Sequence, residues 1–139
     1  MSARQYLSVR ALERDALAAV LASYAPKGAV RVAEALAAAA LNRRRRAETL
    51  WDGAFAAETP AYDALYQHLP PQPISAQADA AWNRACRRIA ARALAGATPD
   101  PTDGGHYATP IEAPAPTQAP MLTARIGPYA FYRDEAQYG

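Results

Sequence analysis

Apolar positions recur along most of this chain with the period of a helix. Leu17, Val20, Leu21 and Tyr24 stand at i, i+3, i+4 and i+7 and line one face of a helix predicted over Val9 to Tyr24. Pro26 and Gly28 stop it, because proline disfavours helix in the residue before it and glycine frees the turn. A second helix is predicted over Ala29 to Thr49, with the stripe Val30, Ala33, Ala37, Ala40 and Leu41. Ala35 and Ala37 to Ala40 leave its surface smooth nearly all round, so another element can come close to its backbone. A third, weaker helix is predicted over Thr59 to His68, with Thr59 as cap and Pro60 at its first position. Pro70, Pro71 and Pro73 then enforce an extended link. A fourth helix runs from about Ser75 to Gly96 on the stripe Ala78, Ala81, Trp82, Ala85, Cys86, Ile89 and Ala93, with Gly96 as its C-cap.

Beyond Gly96 the pattern changes. Seven prolines between Pro99 and Pro128 forbid a continuous helix, and Asp103-Gly104-Gly105 reads as a turn. Pro110 to Pro120 reads as an extended connector. Leu122 to Arg133 alternates loosely around Gly127-Pro128, which predicts two short strands and a turn. The expected architecture is mainly α. A compact alanine-rich helical core spans residues 1–98. A proline-rich, mostly irregular segment spans 99–139, carries a short β-hairpin, and packs on the core or on a partner.

Composition sharpens this reading. Of 139 residues 37 are alanine, against two Trp, two Phe and two Met, so the core must form by close approach of backbones. Such a core buries little area per residue, which points to modest stability and to support from a partner. Fourteen of the fifteen basic residues are arginine, yet the formal net charge is only +2, which argues against a dedicated nucleic-acid binder. The single cysteine, Cys86, excludes an internal disulfide framework and a thiolate metal cluster. His68 and His106 are too few for a histidine-built zinc site, and no metal or other cofactor is expected. No apolar run reaches membrane-spanning length. Arg4, Arg10 and Arg14 ahead of Ala16 to Ala22 imitate a secretory signal, but Glu13 and Asp15 interrupt the pattern, so these residues read as helix and no signal is assigned.

Three segments, in order, resemble the SleB-type cell-wall hydrolase family, whose members cut the glycan strand of peptidoglycan. The first is Glu34-Ala35-Leu36-Ala37-Ala38-Ala39-Ala40-Leu41-Asn42-Arg43, like the family's alanine-rich helix ending in Leu-Asn-Arg. The second is Ala90 to Gly96 leading into Pro99-Asp100-Pro101-Thr102-Asp103-Gly104-Gly105-His106-Tyr107, like its Asp-Pro-Thr-Gly-Gly-Ala-Thr-His-Tyr segment. The third is Ala124 to Arg133, with Ile126-Gly127-Pro128-Tyr129-Ala130-Phe131-Tyr132-Arg133 like its closing Ile-Gly-x-His-x-Phe-Tyr-Arg. The match covers most of residues 29–133 and implies a lysozyme-like or lytic-transglycosylase-like core. Two departures stand out. Counted back from Asn42, the position of the family's catalytic glutamate is Tyr24, and the stretch Ala22 to Gly28 holds no acid. Tyr129 stands where the family often has His. Cleaving a glycosidic bond needs a carboxylic acid to protonate the leaving oxygen, and a phenol with a pKa near ~10 is a poor substitute.

The resemblance implies a groove for a glycan or partner lined by Tyr24, Asn42, His106, Tyr107 and Tyr132. Tyr24 reads equally as the last core residue of its helix, and His106-Tyr107 as a local hydrogen-bonding pair. Glu34 is the weak candidate for a relocated acid. Arg43, Arg44, Arg45 and Arg46, with Arg84, Arg87, Arg88 and Arg92, form either a basic surface or two solvated helix faces. The expected function is that of a non-catalytic hydrolase relative: a structural or surface-binding component of a phage-like particle, such as a phage or gene transfer agent. It would be made in the bacterial cytoplasm and meet protein partners through its proline-rich segment, with peptidoglycan or surface polysaccharide as a further ligand and no membrane. The alternatives are an active hydrolase using Glu34 and an arginine-rich nucleic-acid-binding module.

Overall fold

The computed structural model describes residues 3–51, 80–117 and 119–134. They form three helices followed by three strands: α1 (Ala3–Tyr24), α2 (Val30–Trp51), α3 (Ala80–Leu94), β1 (Tyr107–Pro110), β2 (Met121–Ile126) and β3 (Tyr129–Arg133). The architecture is therefore mixed, helical and not clearly mainly α. The proline-rich segment carries the expected hairpin, as β2 and β3, and adds β1 to make an antiparallel sheet of order β1-β3-β2. Alternation over four residues of β1, one of them proline, is too short to register as a strand, and only its pairing with β3 makes it one. The helix expected over Thr59 to His68 lies outside the described residues.

Helix α2 is the central element. Val32, Ala33, Ala35, Leu36, Ala37, Ala39 and Ala40 are all buried, on more than one side of the helix. Helices α1 and α3 pack on it, and so do β1 and β2. The alanines allow this, since a helix without long side chains can be approached closely from several directions. Helix α1 contributes Leu17, Val20 and Leu21, and α3 contributes Trp82, Cys86, Ile89, Ala90 and Ala93. Ala108, Ile126, Tyr129 and Phe131 of the sheet join the same apolar cluster. Val30, expected on the α2 stripe, is 48% exposed because it opens the helix. Burial of Cys86 pushes its thiol up to about 11, so it behaves as a small core residue. No helix among the described residues is long and apolar enough to cross a membrane.

The helix stops are local. Gly96 takes a positive φ of 72°. The Ala97 N–H donates to Arg92 O at 2.9 Å and the Gly96 N–H to Ala93 O at 3.0 Å, which is the Schellman pattern at the end of α3. The Tyr24 carbonyl, left open where α1 ends, accepts a hydrogen bond from the Tyr129 hydroxyl, which joins α1 to β3. Burial and the neighbouring Tyr24 hold the Tyr129 phenol above its ordinary range.

In the sheet, Tyr107 opposes Tyr132 and Leu122 opposes Tyr132, so these three side chains share the outer face. Phe131 opposes Ala108 and Ala124 on the face turned to the helices. A bulge at Thr123 shifts the β2 register, and the Thr123 hydroxyl donates to Phe131 O at 3.2 Å. The connection expected to run extended over Pro110 to Pro120 instead folds back. Pro116 and Ala119 are buried, and turns close from Ala113 N–H to Pro110 O and from Ala119 N–H to Pro116 O. Proline fixes φ without forbidding turns, so the same residues serve both shapes.

The β2–β3 hairpin turns on Gly127, whose φ of 57° suits the first position of a II′-class turn. This turn meets the start of α2 so closely that a Cβ on Gly127 would stand 2.5 Å from Val32 Cγ2. Gly127→Ala is expected to cost about 1–3 kcal/mol of stability from the forced contact and the positive φ. In a double-mutant cycle followed by urea unfolding, adding Val32→Ala should relieve part of that loss. Strict additivity of the two substitutions would show that Val32 is not what the new methyl meets.

Candidate functional site

The segments that carry the resemblance meet along α2. Asn42, in the second half of Val30–Trp51, reaches the turn over residues 99–106, and that turn feeds β1 beside β3. Asn42 makes the junction. Its Nδ2 donates to Asp100 Oδ2 and to the Gly105 carbonyl, both at 2.9 Å. Both amide hydrogens are thereby used, and the orientation of the amide is fixed because both partners are acceptors.

Asp100 is the centre of this turn. Its Oδ1 accepts from the Thr102 N–H at 2.8 Å and from the Thr102 hydroxyl at 2.6 Å. Its Oδ2 accepts from the Gly104 N–H at 3.0 Å as well as from Asn42. Asp-Pro-Thr is a sequence built for this, since Pro101 presets the turn and the Asp side chain caps the backbone two residues on. Asp103 and Gly104 follow with φ of 53° and 84°, which aspartate and glycine tolerate. Gly105 has no room for a side chain: a Cβ there would stand 2.9 Å from Thr123 Oγ1 and 3.0 Å from Phe131 Cβ. Partial burial opposes the Asp100 charge, but the hydrogen bonds from Thr102, Asn42 and Gly104 outweigh it and hold the carboxyl below its usual range.

His106 and Tyr107 are buried, at 5% and 7% exposure. The His106 N–H donates to Tyr132 O at 2.9 Å. Its Nε2 stands 3.3 Å from both the Asp134 N–H and Asp134 Oδ1, tying the end of β3 to the start of β1. The rings of His106 and Tyr107 are tilted, with centroids 5.2 Å apart. Arg43 lays its guanidinium over the Tyr107 ring, 4.2 Å from the centroid.

Asn42, His106, Tyr107 and Tyr132 thus come together around one end of the sheet, with Tyr132 the half-buried member on the outer face. Tyr24 does not join them. It packs against the core and meets Tyr129 at the opposite end of β3. Glu34 is half-buried on the α2 stripe that also carries Ala38, Leu41 and Asn42, about 12 Å from Asn42 along the axis. Two residues outside the sequence-based set prove central: Asp100, signalled by its Asp-Pro-Thr turn, and Asp134, whose link to His106 no local pattern signals.

The arginines divide. Arg43 is held on Tyr107, and Arg44 forms an ion pair with Glu13 of α1. Arg45 is exposed and reaches Asn42 Oδ1 at 3.5 Å, while the Arg46 side chain lies outside the described residues. Arg87 stands 3.9 Å from Asp15, which is also bound by Arg14 at 3.0 Å. Arg84, Arg88 and Arg92 are exposed.

Asp100→Asn would point an amide N–H₂ or a lone carbonyl at donors on both sides of the side chain. It is expected to cost about 1–3 kcal/mol at neutral pH, read as a shift in the urea midpoint. The sign follows from the depressed carboxyl: its contribution is present above the ordinary carboxylate range and is lost as pH falls through the folded-state value. The gap between wild type and Asp100→Asn should therefore narrow as the pH is taken below about 4. A gap that stays constant down to pH 2 would show that the carboxylate charge plays no part.

The chain matches no protein-family model, and neither the curated proteins nor the solved structures contain a match to it.

Proposed function

We propose that this protein is a non-catalytic relative of a glycan-strand-cleaving cell-wall hydrolase and acts as a structural or surface-binding component of a phage-like particle. The observation that supports this best is the tie from Asn42 to Asp100 and Gly105, which unites two of the three segments that resemble such enzymes. That junction is built as a clamp. Both hydrogens of the Asn42 amide are committed, and the Asp100 carboxylate is saturated by four donors.

Catalysis of glycan cleavage asks for the reverse. A general acid must keep its proton near working pH, usually because an apolar setting raises its pKa. The Asp100 carboxyl is shifted down instead, and Asp134 is engaged by His106. What the site offers is a surface for holding. Tyr132 lies between Tyr107 and the 45%-exposed Leu122 on the outer face of the sheet, an aromatic edge on which a sugar ring can stack. Arg43, braced on Tyr107, adds a cation beside it.

A second reading, an active hydrolase with Glu34 as relocated acid, draws on the position of Glu34 on the same half-exposed stripe as Asn42. Purified chain incubated with insoluble peptidoglycan separates the two. Co-sedimentation without release of soluble glycan fragments is expected, weakened severalfold by Tyr132→Ala, and the chain is expected in the particle fraction of a density gradient. Fragment release that disappears in Glu34→Gln would establish the second reading, and absence of co-sedimentation would remove glycan binding from the first.

A further inference from the structure

We propose that the outward face of α3 docks, without regard to sequence, on the phosphate backbone of a nucleic-acid duplex, through the row Arg84, Arg88 and Arg92. The low net charge of the chain argues against nucleic acid only if the charge is evenly spread, and the fold shows that it is not. The acids of α1 are spent on other arginines, Glu13 on Arg44 and Asp15 on Arg14 and Arg87. Arg84, Arg88 and Arg92 have no carboxylate partner among the described residues and are exposed.

A solvated helix face does not account for this row. Cations stabilise a helix at its C-terminal turn, which covers Arg92 but not Arg84 or Arg88, placed further back in Ala80–Leu94. Like charges at i and i+4 repel, so the pairs Arg84–Arg88 and Arg88–Arg92 each work against the helix by roughly 0.2–0.5 kcal/mol. Among the exposed residues beside them, Ala81, Ala91 and Ala95 are small and let a bulky partner come close, while Arg87 is drawn toward Asp15. None offers an apolar anchor for a lipid surface, because the large apolar residues of α3, Trp82 and Ile89, are buried in the core.

Geometry favours a rigid polyanion. The three arginines repeat every four residues, about 6 Å, and so span about 12 Å of a stiff rod. One duplex strand carries a phosphate every ~3.4 Å of axis, so that span faces three to four phosphates. A duplex meets the rod already ordered, whereas a flexible anionic chain loses conformational freedom on binding. Arginine suits phosphate because its planar fork donates two parallel hydrogen bonds. The proposal places these arginines on phosphate oxygens, which carry no sequence information, so the binding is independent of sequence.

The test is fluorescence anisotropy of the full chain with labelled duplexes of two unrelated sequences, titrated between 20 and 150 mM NaCl (roughly the range over which three phosphate contacts give a slope of log K on log salt near −2.7). Equal affinity for both duplexes and a slope between about −2 and −3 are expected. The triple variant Arg84→Gln/Arg88→Gln/Arg92→Gln should bind at least ~10-fold more weakly with a slope near zero, while Arg31→Gln/Arg125→Gln should bind as wild type does. The Arg→Lys triple keeps the charge and should keep the slope, with weaker binding, which guards against misfolding of the glutamine variant. Unchanged affinity and slope in the glutamine triple would overturn the proposal. So would absence of duplex binding at 20 mM salt, or binding to phosphatidylglycerol–phosphatidylcholine vesicles but not to duplex.

Discussion

A single side-chain amide ties the helices to the turn that leads into the sheet. Asn42 stands in the second half of α2, and its two N–H groups reach a carboxylate and a carbonyl of the turn that opens the sheet region. Without that bridge the Asp100 carboxylate would lose one of its donors and the Gly105 carbonyl would be left under the turn. The opposite end of the interface is held differently. There the β2–β3 turn presses a glycine against Val32 at the start of α2, with no room for a methyl group. A polar clamp at one end and a steric fit at the other keep the sheet aligned along the helix, and Tyr129 adds a third tie through the open carbonyl of α1.

The alanine content of α2 and the chemistry of the site are two sides of one arrangement. A helix buried on several sides with small side chains gains little from area and much from closeness. Its polar residues must then be satisfied where they meet other elements, and Asn42, Arg43 and Arg44 do this against Asp100, Tyr107 and Glu13 in turn. A carboxylate saturated by four donors is suited to holding the shape of its turn.

Charge follows the same logic. The arginines near the end of α2 are drawn into local contacts, because α1 and β1 bring an acid and an aromatic ring to them. Those on the outer side of α3 meet solvent, because α3 turns its apolar face to α1 and α2. The chain therefore has modest overall charge with a locally basic face, a distinction that counting residues does not make.

Helical periodicity by itself determined α1, α2 and α3 with their C-terminal ends to within two residues, though α1 starts six residues before the expected Val9 and the expected start near Ser75 lies outside the described residues; the spacing of Leu17, Val20 and Leu21 or of Trp82, Cys86 and Ile89 is a local property of the chain. Gly96 as a C-cap and Gly127-Pro128 as a turn were legible for the same reason: each depends on the φ its own residue can adopt. The grouping of Asn42 with His106, Tyr107 and Tyr132 followed from the resemblance. Only the tertiary structure decided the rest. Strand β1 exists because β3 lies beside it, and the proline-rich connection folds back because there is a sheet to cover. Tyr24 and His106 belong to opposite ends of that sheet, and the link from His106 to Asp134 spans 28 residues. Hydrogen bonds between distant segments leave no period in the sequence. Whether an arginine stays exposed is likewise set by which acid the fold brings within reach.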